Sequence, residues 1–276
     1  MQNKLEITIL IENSSSNPEM LTEHGIAYLI KYGDQKIIFD CGQSNKLIKN
    51  SETLGLDLTD LDAIAFSHGH YDHTGGLPFV FTISPDATVY LHPDAFKSRF
   101  SKKQGEVTFI GMSRRSKRYI NGMDVHLTPK TTEITPGLSV TGVIPRMTDF
   151  ETTGGDFFLN VQCTRVDKIL DDQSMFIETS KGLVVVLGCS HSGVINTLNY
   201  IDRISDNQKI HAVIGGMHLL NADEARIKRT INIFKRRGIE VISPLHCTGE
   251  PAVEALKENL PENTQIFGAG DTITFE

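Results

Sequence analysis

The densest group of side chains that could do chemistry lies in the stretch SHGHYDHTGG, residues 67–76. Within six residues it places His68, His70, Asp72 and His73 after an apolar run. In an extended chain, side chains two residues apart point to the same side, so His68 and His70 can bind one ion together. Imidazole nitrogens and carboxylates are ligands for zinc, iron and manganese. The spacing therefore predicts a metal site that can serve two ions, with Asp72 and His73 on the second. The alternative is a set of surface histidines that cap a helix.

A second group of candidate ligands follows predicted strands in the C-terminal half. The segment LGCSHSG carries Cys189 and His191 where an apolar strand ends, and PLHCTG carries His246. A Cys-x-His pair at a strand end can offer both side chains to one side. We expect His191 and His246 to bind metal rather than to cap a helix or support a turn. Cys189 has two open interpretations: a bridging thiolate, which would favour zinc, or a buried inert thiol.

Several residues outside these groups are candidates for supporting roles. His218, in GGMHLL, follows a strand and is expected to be a general acid, a metal ligand or a residue that orients a ligand. His24, in TEHGIAY, is expected to line the same pocket and contact substrate. For both histidines the alternative is a role in the core or at the surface. Asp40 is expected to accept an N–H from a metal-bound imidazole, the alternative being a simple turn aspartate. Arg146, in GVIPRM, is the candidate for binding a substrate phosphate. The helix that begins near Ser192 is expected to point its N-terminal N–H groups at the site, which would favour an anionic substrate.

Two runs of strands and helices position these residues. In the N-terminal half, LEITILIE is a predicted strand, IAYLIKYGDQKIIFDCG a hairpin, and DAIAFSH a buried strand that ends in the histidine cluster. In the C-terminal half, a hairpin over QSMFIETSKGLVVVLGCSH precedes the amphipathic helix GVINTLNYIDRI, and two further strand–helix pairs follow. Because strands outnumber helices and many neighbours are hairpin-linked, the sequence predicts an α+β fold of two mixed β-sheets packed face to face with helices outside. We expect one domain over residues 1–276, with a substrate-shaping insertion at about residues 94–165, where the pattern loosens.

The composition limits the classes of function. The chain has 276 residues, a net charge of -7 and 22% charged residues, which does not favour general affinity for nucleic acid. No run reaches the roughly 18 apolar residues needed to cross a bilayer, and the N-terminus lacks the pattern of a signal peptide. The four cysteines contain no CxxC pair, which indicates a reducing compartment. We therefore expect a cytoplasmic protein with neither a nucleic-acid nor a membrane partner; whether it is a homo-oligomer is left open.

The motifs resemble those of a known family. SHGHYDHTGG is similar to the HxHxDH signature of the metallo-β-lactamase superfamily, and KIIFDCG upstream and SPLHCTG near the end are similar to two further motifs of that family, in the same order. The resemblance covers nearly the whole chain, and it implies an αββα sandwich with a metal site at one edge of the sheets. The phrases EHGIAYLI, DDQSMFIET and GCSHSGVINT resemble a branch named after a 7,8-dihydropterin-6-methyl-4-(β-D-ribofuranosyl)aminobenzene 5'-phosphate synthase.

Two positions depart from the pattern of that superfamily. Where its third histidine is usual, this chain has Asp171 and Asp172, and where its bridging aspartate is usual, it has Cys189. His191, two residues after Cys189, is expected to supply the missing imidazole. The departure separates this chain from the ordinary hydrolases that share the histidine motif.

The ligand set and the resemblance together suggest the chemistry. Two bound ions can share a hydroxide and also clamp substrate oxygens. We expect two divalent metal ions, zinc first with iron, manganese or magnesium as alternatives, and a hydrolase that cleaves an anionic, phosphorylated small molecule through a metal-bound hydroxide. Asp72 and His218 are the expected catalytic residues. The alternative, which the resemblance implies, is a transferase that joins a dihydropterin diphosphate to an aminobenzene ribose phosphate and releases pyrophosphate; a non-catalytic ligand sensor is a third hypothesis. Four aromatic residues of the middle segment are expected either to cover a pterin-like ring or to form the core of an insertion: Phe100, Phe109, Tyr119 and Phe150.

Overall fold

The computed structural model describes residues 3–276, which form sixteen β-strands and seven α-helices. The strands are β1 (Leu5–Ile11), β2 (Ala27–Tyr32), β3 (Gln35–Phe39), β4 (Ala63–Ala65), β5 (Thr88–Leu91), β6 (Phe100–Lys103), β7 (Glu106–Phe109), β8 (Val125–Leu127), β9 (Thr132–Thr135), β10 (Leu138–Val140), β11 (Phe157–Phe158), β12 (Met175–Thr179), β13 (Gly182–Leu187), β14 (Ile210–Gly216), β15 (Val241–Leu245) and β16 (Thr272–Phe275). The helices are α1 (Lys46–Thr53), α2 (Tyr71–Thr74), α3 (Leu77–Ile83), α4 (Arg114–Ile120), α5 (Val194–Ile204), α6 (Glu224–Arg237) and α7 (Glu250–Asn259). The strands and helices predicted on either side of the middle segment are therefore confirmed at their expected places.

The elements divide into two compact units. The first contains the residues up to Pro129, Asp156–Asp171 and Gly268–Glu276, and the second contains Lys130–Gly155 and Asp172–Phe267. The segment expected to be an insertion, residues 94–165, therefore contributes to both: β6, β7, β8 and β11 belong to the first unit, and β9 and β10 to the second. The expectation of one domain with an insertion stays a prediction.

The first unit is built on a seven-stranded sheet in the order β16-β1-β2-β3-β4-β5-β8. β1, β2 and β3 are antiparallel neighbours, while β3, β4, β5 and β8 run parallel. Phe39 pairs with Ala65, so the carboxyl ends of β3 and β4 lie side by side. This register places Asp40, which follows β3, next to Ser67 and His68, which follow β4.

Buried apolar side chains hold these strand ends in place. The residues Leu47, Leu77 and Val80 of α1 and α3 pack into one core cluster with Ile38 and Ile64 of the sheet. Each such side chain stabilises the fold by roughly 1.5–3 kcal/mol on burial. The residues that follow β3 and β4 therefore start from a rigid base.

A small antiparallel sheet completes the first unit. Its three strands have the order β11-β6-β7. The ring of Phe157, on β11, lies 5.6 Å from the ring of His70, centroid to centroid. The middle segment thus reaches the histidine cluster within this unit.

The second unit is built on a six-stranded sheet in the order β15-β14-β13-β12-β10-β9. β13, β14 and β15 run parallel, so their carboxyl ends meet at the same edge. Cys189 lies two residues beyond β13, His218 two residues beyond β14, and His246 directly after β15. Three candidate ligands therefore come to one edge of one sheet.

Helices α5, α6 and α7 of the second unit bury their apolar sides in a second core cluster. Leu198, Ile231, Phe234 and Leu256 lie in this cluster with residues of β13 and β14. Across residues 3–276, the structure contains no helix with the length and apolar character needed to cross a membrane.

Candidate metal centre

Three imidazoles of the first unit are buried side by side after β4. His68, His70 and His73 are each at most 5% exposed. The ring of His68 lies 4.4 Å from that of His70 and 4.2 Å from that of His73, centroid to centroid, and His68 Nε2 lies 2.9 Å from His70 Nδ1. Converging buried nitrogens of this kind fit a divalent metal ion, whose bonds to histidine nitrogen are about 2.0–2.1 Å long. The burial also excludes the alternative of surface histidines.

Asp40 holds one of these rings in a fixed orientation. It is fully buried and accepts hydrogen bonds from His73 Nδ1 at 2.7 Å, from the Ser67 N–H at 2.8 Å and from the Ser67 hydroxyl at 2.6 Å. A histidine that donates its Nδ1 proton to a carboxylate presents Nε2 as the ligand atom. The backbone of Asp40 has φ of 59°, in the left-handed region that aspartate tolerates better than most residues. Asp40 therefore has the geometry expected of the carboxylate behind a metal ligand.

Asp72 lies beside His73 and His24. Its Oδ2 is 3.7 Å from His73 Nε2 and 3.2 Å from His24 Nε2, and the Asp72 side chain is 8% exposed whereas that of His24 is 55% exposed. Gly25 allows this approach, because a Cβ there would lie 2.4 Å from the Asp72 carbonyl oxygen. His24 thus sits between Asp72 and solvent, and its substrate contact stays a prediction.

The loop that carries His68 and His70 is fastened by a buried ion pair that the sequence did not reveal. The Gly69 N–H donates to Asp171 Oδ2 at 2.8 Å. Asp171 in turn receives two hydrogen bonds from the guanidinium of Arg99, which is fully buried. A Cβ on Gly69 would lie 2.2 Å from the Ala95 carbonyl oxygen, so only glycine fits between the histidines. Asp171 therefore anchors the backbone of the histidine motif.

A cleft opens next to the same motif. It has a volume of about 460 Å³, and Tyr71, Ser101, Thr108 and Phe109 are among its lining residues. Phe109 is 46% exposed, and its ring lies 5.5 Å from that of Phe100, edge to face. Of the four aromatic residues considered for covering a ring, Phe109 is therefore the one that is both exposed and at a cleft.

The other two aromatic residues of that group are engaged elsewhere. The Tyr119 ring packs at 4.9 Å from that of Phe81. The Phe150 ring lies under the guanidinium of Arg229 at 4.0 Å. The contact of Tyr119 indicates a packing role, while Phe150 also lines a separate cleft with Thr148 and Ile195 in the second unit.

The second unit has its own donor set at the ends of β13, β14 and β15. One donor atom from each of Cys189, His218 and Cys247 lies within 4.8 Å of the other two. His218 and His246 have φ of 47° and 50°, a left-handed backbone that is uncommon outside glycine and is enriched at functional sites. Burial raises the pKa of the Cys247 thiol, but its hydrogen bond with Cys189 and the neighbouring His218 and His246 together bring that pKa well below its usual value.

His191 is oriented by a backbone carbonyl. Its Nδ1 donates to the Thr153 carbonyl oxygen at 3.0 Å, which leaves Nε2 as the atom for a metal. Its ring lies 4.2 Å from the ring of His218, centroid to centroid. A Cβ on Gly154 would lie 1.9 Å from His218 Cδ2, so the segment at Thr153 and Gly154 fits closely against both rings.

Asp172 fastens the loop that carries His191. Its Oδ2 accepts the Ser192 N–H at 2.8 Å. Burial raises the pKa of Asp172 to about 6, and the Ser192 N–H and the positive charge of Arg146 reduce that rise. Arg146 Nη2 also lies 3.5 Å from the Ser192 hydroxyl. Arg146, the residue predicted to bind a substrate phosphate, thus lies at this loop, and part of its positive charge is directed toward Asp172.

The expectation that the N-terminus of α5 would bind an anionic substrate is wrong. The carboxylate of Glu151 accepts the Ile195 N–H at 2.9 Å and the Asn196 N–H at 2.8 Å. A Cβ on Gly193 would lie 2.3 Å from Glu151 Cδ, so glycine is required where this carboxylate approaches the helix. The chain therefore supplies its own anion to this helix terminus.

The roles of four residues were missed by sequence reasoning. Cys247 follows His246 at a strand end, and the rule used for Cys189 would have identified it. Arg99 and Glu151 carry no comparable local signal, and Asp171 was singled out by its place in the sequence but not for its contact with Gly69, which is far away in the chain.

The fold and the donor sets define a class of protein, and comparison with known families agrees. A sequence profile described as the metallo-beta-lactamase superfamily matches residues 23–155. A relative 30% identical over 97% of this chain supports the same assignment. The chain belongs to the metallo-β-lactamase superfamily. The predicted fold class and the prediction that the chain is an enzyme are thereby confirmed.

The chain is also similar to individual proteins of known sequence or structure. The 30% identical relative is the 7,8-dihydropterin-6-methyl-4-(beta-D-ribofuranosyl)-aminobenzene-5'-phosphate synthase of Methanocaldococcus jannaschii, of which 95% is covered. The solved structure of Tm1679, a metal-dependent hydrolase of the beta-lactamase superfamily, has a TM-score of 0.83 at 31% identity, with 98% of each chain covered. A short match, 34% identical over 68 residues and 24% of this chain, is to ribonuclease TTHA0252 of Thermus thermophilus. The branch that the sequence motifs resemble is thus confirmed by a relative of full length.

Proposed function

We propose that this protein is a metal-dependent hydrolase that acts on an anionic, phosphorylated small molecule. The observation that carries the proposal is the buried cluster of His68, His70 and His73, with Asp40 fixing the tautomer of His73. The 31% identity to a metal-dependent hydrolase over 98% of the chain supports it.

The proposed cofactor is two divalent metal ions, with zinc as the metal. Imidazoles, a carboxylate and thiolates in one chain suit zinc better than magnesium or manganese, which prefer oxygen ligands. The proposed ligands are His68, His70, Asp72, His73, Cys189, His191 and His246. When bound, the ions would supply Lewis acidity and activate a water molecule.

The roles of the remaining residues follow from their contacts. Asp72 and His24 lie 3.2 Å apart and can hold one proton between them, which suits a pair that moves a proton during hydrolysis. We assign Arg146 the role of binding a negatively charged substrate group, and we propose that His218 acts at the metal centre, either as a general acid or as a ligand. Asp40 holds His73 in place and takes no part in the bond-breaking step.

A transferase is the second candidate, and one observation favours it. The 30% identical relative is named as a synthase and matches 97% of this chain. In that reaction, a dihydropterin diphosphate would be joined to an aminobenzene ribose phosphate and pyrophosphate would leave. The exposed Phe109 at the cleft beside Tyr71 offers a surface on which a flat ring can stack.

One experiment separates the two candidates. Zinc-loaded protein is assayed with a panel of phosphate esters and lactones, and separately with the two transferase substrates. Release of phosphate or acid from a single substrate supports the hydrolase. Release of pyrophosphate that requires the aminobenzene substrate rejects the hydrolase and supports the transferase.

A pair of histidine variants tests whether the cluster is responsible. Mutating a residue that only orients a metal ligand typically lowers activity by about 10–100-fold. Because His70 is a proposed ligand itself, His70→Asn should reduce turnover by more than that. His126→Asn is the matched control, because the His126 side chain is 56% exposed on β8. Equal activity of the two variants would reject the site.

The expected partners and compartment remain proposals. We propose a small-molecule substrate, no nucleic-acid or membrane partner, and a cytoplasmic location. All four cysteines, which lie within residues 3–276, are thiols rather than disulfides, which supports a reducing compartment. Electrophoretic mobility with single-stranded RNA and sedimentation analysis of the purified protein test the nucleic-acid and oligomer questions.

A further inference from the structure

Two buried thiols and an imidazole converge in the second unit. Donor atoms of Cys189, His218 and Cys247 all lie within 4.8 Å of one another. Two sulfurs on one tetrahedral zinc are about 3.8 Å apart, as follows from zinc–sulfur bonds of about 2.3 Å. The three donors therefore need to move by no more than about 1 Å to share one ion. Both cysteines are at most 6% exposed, so the site is screened from solvent.

The space around these donors is shaped by neighbouring residues. The Cys247 thiol donates to the Cys189 carbonyl oxygen at 3.5 Å. A Cβ on Gly216 would lie 2.6 Å from the Cys247 sulfur, so the sulfur occupies room that only glycine leaves. His218 keeps a left-handed backbone conformation, and Gly154 makes room for its ring. A left-handed backbone at His218 and close packing around all three donors are typical of a functional site.

We propose that Cys189, His218 and Cys247 hold one metal ion, with both cysteines bound as thiolates. The proposal rests on the metal dependence proposed above and extends it, because it makes Cys247 a ligand and makes His218 a ligand rather than a general acid. Each thiol loses its proton to solvent when the ion binds. Two thiolates select a thiophilic metal, so the ion at this site is zinc rather than magnesium or manganese.

Cobalt(II) is the probe that reads this site without an activity assay. Metal-free, full-length protein is titrated with cobalt under anaerobic conditions, and the thiolate-to-cobalt absorption in the near ultraviolet is recorded. Wild type should show the band. Cys189→Ser and Cys247→Ser should each lose about half of its intensity, since each removes one of two thiolates. Cys163→Ser is the matched control and should keep the full band, because Cys163 lies outside the donor set.

A second measurement needs no variant. X-ray absorption of the zinc-loaded wild type should show sulfur at about 2.3 Å from zinc. The absence of zinc–sulfur scattering, a full cobalt band in Cys247→Ser, or a disulfide between Cys189 and Cys247 in protein kept under reducing conditions would each overturn the proposal.

The two proposals can fail separately. His70→Asn should lose turnover and keep the thiolate band, because His70 is not one of the three donors. A protein with the band but without turnover of any substrate contradicts the proposed function and leaves this site in place. Turnover without the band contradicts this site and the assignment of Cys189 as a ligand, and leaves the proposed hydrolase activity in place.

Discussion

Replacing Arg99 by methionine should destabilise the fold and loosen the loop of His68 and His70 together. Arg99 is fully buried, forms a two-point pair with Asp171, and lies 3.0 Å from Asp167. Methionine has a similar length and no charge. The change therefore leaves two buried carboxylates near each other without their cation.

The size of the effect follows from these contacts. Removing one partner of a buried ion pair costs about 3–5 kcal/mol, because the other charge stays buried. The lost hydrogen bond from Arg99 Nη2 to the Asp94 carbonyl oxygen, 3.1 Å long, adds about 1 kcal/mol. We expect Arg99→Met to lower the free energy of unfolding by about 4–6 kcal/mol at pH 7. This is a large part of the total unfolding free energy of an ordinary domain, which is about 5–15 kcal/mol.

Urea unfolding followed by circular dichroism measures this loss. The control is Lys257→Met, which removes an exposed pair with Glu254 and should change stability by only about 0.5 kcal/mol. A triple variant that also carries Asp167→Asn and Asp171→Asn should recover part of the loss, because no buried charge is left without a partner. If Arg99→Met loses no more stability than Lys257→Met, the reasoning about the buried pair is refuted.

Three further changes test other contacts. Asp40→Asn should weaken metal binding by about 10–100-fold, measured by chelator competition, because His73 loses its carboxylate acceptor; unchanged affinity would remove Asp40 from its role. In metal-free protein, the folded pKa of Asp172 at about 6 lies above the ordinary 3.8, so stability that Asp172 contributes below about pH 4 is lost as the pH rises through 6. Asp172→Asn should lack this loss and exceed wild type by up to about 3 kcal/mol in urea unfolding at pH 7, and parallel pH profiles would contradict it. Glu151→Ala should lower stability by about 0.5–2 kcal/mol in thermal unfolding, because α5 loses the acceptor for its first N–H groups, whereas an unchanged midpoint would argue against the cap.

The parts of the site that the sequence predicts are those set by local spacing. His68, His70 and His73 come together because they follow one strand within six residues. The strands themselves were predictable from apolar, β-branched runs. Parallel neighbours then bring their ends to one edge, which is why Cys189 and His218 lie close together in the second unit. For such residues, short-range geometry and sheet topology are sufficient.

The parts that escaped prediction depend on partners distant in the chain. Glu151 reaches helix α5 from 44 residues away, so the helix N-terminus looked available in the sequence when it was already occupied. Asp171 and Gly69 are 102 residues apart, and nothing near either residue announces the bond. A buried arginine such as Arg99 looks like any surface arginine until its carboxylate partners are located. Single polar residues that hold loops in place can therefore be recognised only in the tertiary structure.

Asp171 and Asp172 are neighbours in the chain, yet each fastens a different loop in a different unit, through Gly69 and Ser192. Neither aspartate can shift by one position without releasing its loop, so an added or deleted residue at this point would disturb one donor set whichever way the chain adjusted. The β6–β7 turn is the opposite case, because a Cβ on Gly105 would meet nothing within 4 Å. Insertions and deletions among related chains should therefore occur at turns like that of Gly105. They should be absent next to Asp171 and Asp172.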